Sequence, residues 1–224
     1  MCKLCQTKPI YIDASGRKIC QKHFGHFYEK KVLKTIRRFG LIGGEHELCV
    51  FINAVDCCSF ALLHFMYKYA MQRRKSIVVV AKASDESLEA YCKQKGISLL
   101  SSAVEKLRPK KFIVATCLND VAEHIMLSLM SRRLGKKPKE LEVWPIKEMR
   151  VGKRKVKAVM PLFFCSEEES CLYCKVNGIE ARPHAPSNKQ HAELKRFLQS
   201  LEKKHNVYHA IVNAFLEIAR GKHF

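Results

Sequence analysis

Long apolar runs are missing from this chain: no stretch approaches the roughly 18 to 20 apolar residues of a spanning helix, so no membrane-spanning segment is expected. Met1-Cys2-Lys3 opens directly into metal-type spacing and lacks the layout of a signal peptide. A soluble, cytoplasmic protein is expected. Acidic residues are scarce. Against 41 Lys and Arg stand 21 Asp and Glu, a formal net charge of +20. Solubility needs no such excess, and a polyanionic partner is the leading reading. A solvated, lysine-rich surface and an acidic membrane surface are its rivals. Internal repeats and low-complexity segments are also lacking. What is present, 224 residues of which 47% are hydrophobic, supports one main core and a small appended module.

The 11 cysteines do not make a secreted disulfide scaffold, because such scaffolds are short and core-poor whereas this chain is rich in Val, Ile, Leu and Phe. In a reducing compartment they divide between metal ligands and small buried hydrophobes. Cys2 and Cys5 form one pair with two residues between them, and Cys20 and His23 form another. Each spacing lets two side chains of a tight turn point at one ion, and the soft and borderline donors suit tetrahedral zinc. Ile10-Tyr11-Ile12 and Arg17-Lys18-Ile19 flank a turn at Asp13-Ala14-Ser15-Gly16, the frame of a zinc knuckle. With all four positions filled, the zinc is expected to be structural. His26 is the alternative to His23.

From Glu29 to Phe39, Val32, Leu33, Ile36 and Phe39 fall on one helical stripe, and Lys30, Lys31, Lys34, Arg37 and Arg38 occupy the rest. Such a basic face suits phosphate contact. From Leu48 onward, β-branched runs alternate with helical patterns, the order of a parallel α/β sheet. Strands are expected at Leu48–Ile52, Ser76–Ala81, Ile97–Leu100, Lys111–Thr116 and Ala158–Phe164. Helices are expected at Ser59–Met71, from Ser84 to before Gly96, from a cap at Asn119 to Leu134, after the capping box at Ser166, and near Asn188–Lys204 and Asn206–Ala219. The basic stretch holding Arg132, Arg133, Lys136, Lys137, Lys153, Arg154 and Lys155 reads as an irregular connection that extends the RNA-binding surface.

Several motifs in this order resemble the PP-loop tRNA 2-thiolation family, which comprises the TtuA enzymes and the eukaryotic cytosolic tRNA thiouridylase. They are the two-pair knuckle, Thr35-Ile36-Arg37-Arg38-Phe39, Ser59-Phe60-Ala61-Leu62-Leu63-His64, Leu118-Asn119-Asp120-Val121-Ala122-Glu123, Met160-Pro161-Leu162 and Asn177-Gly178-Ile179. The resemblance covers nearly the whole chain. It implies the fold class: an α/β parallel sheet of the PP-loop ATP pyrophosphatase type (HUP-like, adenine nucleotide alpha hydrolase-like) with an amino-terminal zinc knuckle. The expected layout is a knuckle over 1–28, a basic helix and linker over 29–46, a degenerate PP-loop domain over 47–187, and a carboxy-terminal helical pair over 188–224.

The family holds ATP phosphates on a loop of the pattern Ser-Gly-Gly-x-Asp-Ser. Here that loop reads Ala54, Val55, Asp56, Cys57, Cys58, Ser59, so only the last serine is kept. Side chains crowd the phosphate position, and the Asp56 carboxylate repels it. The family's three sulfur-handling cysteines are missing as well: none lies between Ile97 and Phe112, and the third position reads Arg182-Pro183-His184-Ala185. These departures argue against bound ATP and against an iron–sulfur cluster. The expectation is a noncatalytic, tRNA-binding partner subunit in wobble-uridine 2-thiolation, paired with an active thiolase paralogue. Two alternatives stay open: a sulfurtransferase with rewired chemistry at Cys57, Cys58 or Cys117, and a zinc-ribbon interaction protein with no RNA role. Cys171 and Cys174, an i,i+3 pair inside a helix, read as core in preference to a second metal site.

Overall fold

The computed structural model describes residues 1–13, 15–82, 84–100, 109–130, 144–151, 154–186, 188–202 and 206–219. Strands β1 (Pro9–Ile12) and β2 (Lys18–Cys20) pair antiparallel as the expected hairpin. Helix α1 (Gln21–Phe39) follows β2 without a break. It starts eight residues earlier than its basic stripe suggests, because its first turns bury Phe24 and Tyr28 where the sequence shows no side-chain cap. Gly40 ends it at a positive φ of 57°, and Leu41 donates back to the Ile36 carbonyl.

The main sheet runs through β3 (Glu47–Ile52), β4 (Ser76–Ala81), β5 (Ser98–Leu100), β6 (Lys111–Val114), β7 (Ile146–Val151) and β8 (Arg154–Val159) in the spatial order β5-β4-β3-β6-β8-β7. All neighbours are parallel except β7 against β8. Between them lie α2 (Cys57–Gln72), α3 (Glu86–Lys95), α4 (Leu118–Met130) and α5 (Glu167–Val176), and the chain ends in α6 (Lys189–Glu202) and α7 (Val207–Ala219). β3 and β4 are nearly continuous apolar runs because both faces of a parallel sheet are covered. One core joins α1, α2, α3 and α5 to the sheet, and a second joins α4, α6 and α7. Among the described residues no helix is long and apolar enough to cross a membrane.

Three sequence expectations change. The final strand ends at Val159 and not at Phe164; Met160–Phe164 forms a turn against α4 and α7. Of the basic stretch before it, Ile146–Val151 and Arg154–Val159 pair antiparallel as β7 and β8 at the sheet edge in place of an irregular connection, while residues 131–143 and 152–153 lie outside the described residues. Asn119 is no cap: it lies buried within α4, its Oδ1 accepting the Glu167 N–H at 2.9 Å, while the Asp120 carboxylate accepts from the Cys117 N–H at 2.8 Å. The expected end of that helix at Leu134 lies outside the described residues.

The Ser166 capping box is formed, with Ser166 Oγ accepting from the Glu169 N–H at 3.1 Å and Glu169 Oε2 accepting from the Ser166 N–H at 2.8 Å. The same Glu169 carboxylate takes the Tyr11 hydroxyl at 2.7 Å and the Lys31 ammonium at 2.7 Å, tying the hairpin and α1 to α5. Tyr28 stacks on Tyr173 at 4.4 Å in the same interface. Ser166→Ala is expected to lower unfolding free energy by about 1 kcal/mol, the ordinary worth of a lost cap, measured by urea denaturation.

Candidate functional site

The hairpin and the first turn of α1 bring Cys2, Cys5, Cys20 and His23 together, with all four ligand atoms within 4.8 Å of one another. Cys2 sits in a turn closed by Cys2 N–H to Thr7 O and Gln6 N–H to Cys2 O, both 2.9 Å, with Gln6 at a positive φ of 58°. Sγ of Cys5 and Cys20 are 3.3 Å apart, and His23 Nδ1 is 3.7, 3.5 and 3.3 Å from Cys2, Cys5 and Cys20. A tetrahedron with zinc bonds of ~2.0–2.3 Å has edges of about 3.3–3.8 Å, so the donor set fits zinc. The Thr7 hydroxyl and further hydrogen bonds hold the Cys20 thiol down to about 5, against burial, which leaves it a thiolate ligand at neutral pH. His26 is exposed and outside the cluster.

The second site lies where the strand order reverses, between the carboxyl ends of β3 and β6, the place α/β sheets keep for ligands. A cavity of about 650 Å³ opens there, its lining including the polar Asp56, Ser59, Thr116, Asp120 and His184 and the apolar Phe51, Trp144, Met149 and Met160. The start of α2 contributes Asp56 and Ser59 to its lining. Asp56 caps that helix, its Oδ1 accepting from the Ser59 N–H at 2.8 Å, and its Oδ2 accepts from His184 Nδ1 at 2.6 Å. The Cys57 N–H is taken by the Arg182 carbonyl at 2.7 Å. A helix N-terminus binds phosphate through free N–H groups; here a side chain and a backbone carbonyl of the protein occupy those of Ser59 and Cys57. The hydrogen bond to Asp56 raises the His184 imidazole from its ordinary value, outweighing burial. Behind it, Glu167 accepts from the His184 N–H at 2.6 Å and pairs with Lys195 at 2.8 Å.

Glu123, 3.1 Å from His191, carries one buried oxygen with no hydrogen-bond partner among the described residues. Burial pushes its carboxyl up to about 7. The folded state therefore holds a proton that the unfolded chain releases near pH 4.5, and stability falls as pH rises between those values. Glu123→Gln is expected to flatten that slope, gaining about 1–3 kcal/mol over the parent at pH 8 and little at pH 5, as read by denaturant unfolding at both.

Of the cations expected to bind RNA, Lys30, Lys34, Arg37 and Arg38 are exposed on α1, with Arg38 over the rings of Phe39 at 5.3 Å and Phe164 at 5.8 Å. Lys31 turns inward to Glu169 and leaves the set. Arg154 and Lys155 are exposed on β8, Lys155 pairing with Glu148 at 3.1 Å. Arg132, Arg133, Lys136, Lys137 and Lys153 lie outside the described residues. Sequence reasoning missed His184 as a partner of Asp56, since 128 residues separate them. It also missed the bond between Cys57 and Cys171, whose Cα atoms lie 4.9 Å apart.

No protein-family model matches the sequence, and no curated protein matches it. Among solved structures, the U34-tRNA thiolase NcsA from Methanococcus maripaludis with its [4Fe-4S] cluster is similar with a TM-score of 0.76 at 16% identity, over 98% of this chain and 87% of that one. Among the described residues, the groups of three or more metal-ligating side chains reduce to Cys2, Cys5, Cys20 and His23. The α/β architecture is thus that of the NcsA thiolase, carried here with a four-ligand knuckle at its amino end and a carboxylate at the head of α2.

Proposed function

We propose that this chain is a noncatalytic, tRNA-binding partner subunit in wobble-uridine 2-thiolation. The observation that carries the reading is the first turn of α2, where the Asp56 carboxylate and the Arg182 carbonyl take donors that a phosphate would need. The likeness to a U34-tRNA thiolase supplies the substrate class, and the charge of +20 suits it. The zinc knuckle fixes the start of α1, whose exposed cations meet the tRNA backbone. An active thiolase paralogue supplies ATP and sulfur chemistry.

The rewired-enzyme reading fares worse on the thiols. Cys57 is bonded to Cys171, and Cys117 is buried with its thiol pushed well up by the neighbouring Cys58 and by burial, so it holds its proton at neutral pH. The deciding experiment gives the purified chain ATP in a calorimeter and tRNA in a salt series. Steeply salt-dependent tRNA binding with no heat from ATP is the expected result. Thiolation of tRNA by this chain alone would overturn the proposal.

A further inference from the structure

We infer that the Cys57–Cys171 bridge is a thiol–disulfide exchange site, taking low-molecular-weight thiols at Cys171. The two sulfurs differ in access. Cys57, the first residue of α2, is fully buried. Cys171, on α5, is half-buried and lines a surface cavity of about 670 Å³ bounded by Glu168, Pro183, His184, Lys195 and Arg196. That volume accommodates a small thiol, and Arg196 is exposed at its rim.

Outside the zinc set and this bridge, every cysteine is a buried thiol. Burial pushes Cys49 and Cys92 up to about 11 and Cys174 up to about 12. Exchange needs a reachable sulfur and a thiolate partner, and Cys171 alone among these offers the first. A bridge across 114 residues in a chain without the layout of a disulfide scaffold also fits redox use better than stapling.

The step balances without a further oxidant. An incoming thiolate attacks Cys171 Sγ, the S–S bond breaks, and its electron pair leaves on Cys57 Sγ, which takes a proton. A second thiol attacks the mixed disulfide, releasing the small disulfide and Cys171 as a thiol. The bridge takes up two electrons, and two small thiols are oxidised. It ties to α5 the same turn of α2 that carries Asp56 and Ser59, so the redox state acts on residues that line the crevice.

The test uses the whole 224-residue chain, loaded with zinc. Native protein is treated with dithiothreitol, quenched in acid, denatured, alkylated and mapped by peptide mass spectrometry. Cys57 and Cys171 should be blocked before treatment and become alkylatable together afterwards, with zinc retained. In Cys57→Ser, Cys171 should take up glutathione from glutathione disulfide, and in Cys171→Ser, Cys57 should do so roughly tenfold more slowly or less. Circular dichroism confirms that both variants are folded, and the parent chain tests the idea alone should either fail to fold. Two free thiols in untreated protein, a bridge reducible only after unfolding, equal uptake at both positions, or stoichiometric iron held by these cysteines would each overturn the proposal.

Discussion

Cys20→Ala is expected to take the bound zinc from one ion per chain to none, and to melt the hairpin while leaving the sheet intact. Structural zinc contributes on the order of 10 kcal/mol or more to small knuckles at neutral pH, and two strands of three and four residues cannot replace it. What the hairpin has besides metal is modest: Tyr11 packs on Phe24 at 5.1 Å and Phe27 at 5.6 Å, and its hydroxyl reaches Glu169. The start of α1 has no side-chain cap, so its first turn depends on Cys20 and His23 being held. Elemental analysis gives the metal content. Hydrogen exchange should show β1, β2 and the first turn of α1 losing protection while β3 and β4 keep theirs. Full zinc retention in the variant would mean that another group, such as His26, completes the site.

The same contrast between local and distant determinants explains what the sequence disclosed. β3, β4 and β6 were legible because buried parallel strands are written as short β-branched runs, and the ends of α3 and α5 because Gly96 and Gly178 take positive φ. The knuckle was legible because two paired spacings are local patterns that bring four donor atoms into one cluster. The β7–β8 hairpin was not. In β8, Arg154, Lys155 and Lys157 are exposed while Ala158 and Val159 are buried, and charge protecting a strand near the sheet edge looks in sequence like a loop. Lys31 was misplaced for a related reason: the stripe of cations was visible, whereas Glu169, 138 residues away, was not. Asp56 was recognised as hostile to phosphate, but its role as the cap of α2 and its pairing with His184 needed the fold.

Reversing two charges on α1, Lys34→Glu with Arg37→Glu, is expected to weaken tRNA binding by about tenfold or more at physiological salt and to reduce the slope of log affinity against log salt by roughly 1.4–1.8. Lys30, Lys34, Arg37 and Arg38 stand at i, i+4, i+7 and i+8, one face of a helix, spanning about 12 Å of its length. The opposite face buries Phe24, Tyr28, Val32 and Ile36, so the cations are held on a packed support. Arg38 is further fixed over two aromatic rings. Exposed side chains of this kind contribute little to folding, and the melting temperature of the double variant should stay near that of the parent. The matched control reverses Lys93 on α3 and Lys175 on α5, equally exposed and equal in charge. A chain of +20 attracts any polyanion diffusely, and that attraction depends on net charge alone. A docking face depends on where the charge sits. The control pair should therefore cost no more than about two- to threefold, and equal losses from the two pairs would remove α1 as the surface that meets tRNA.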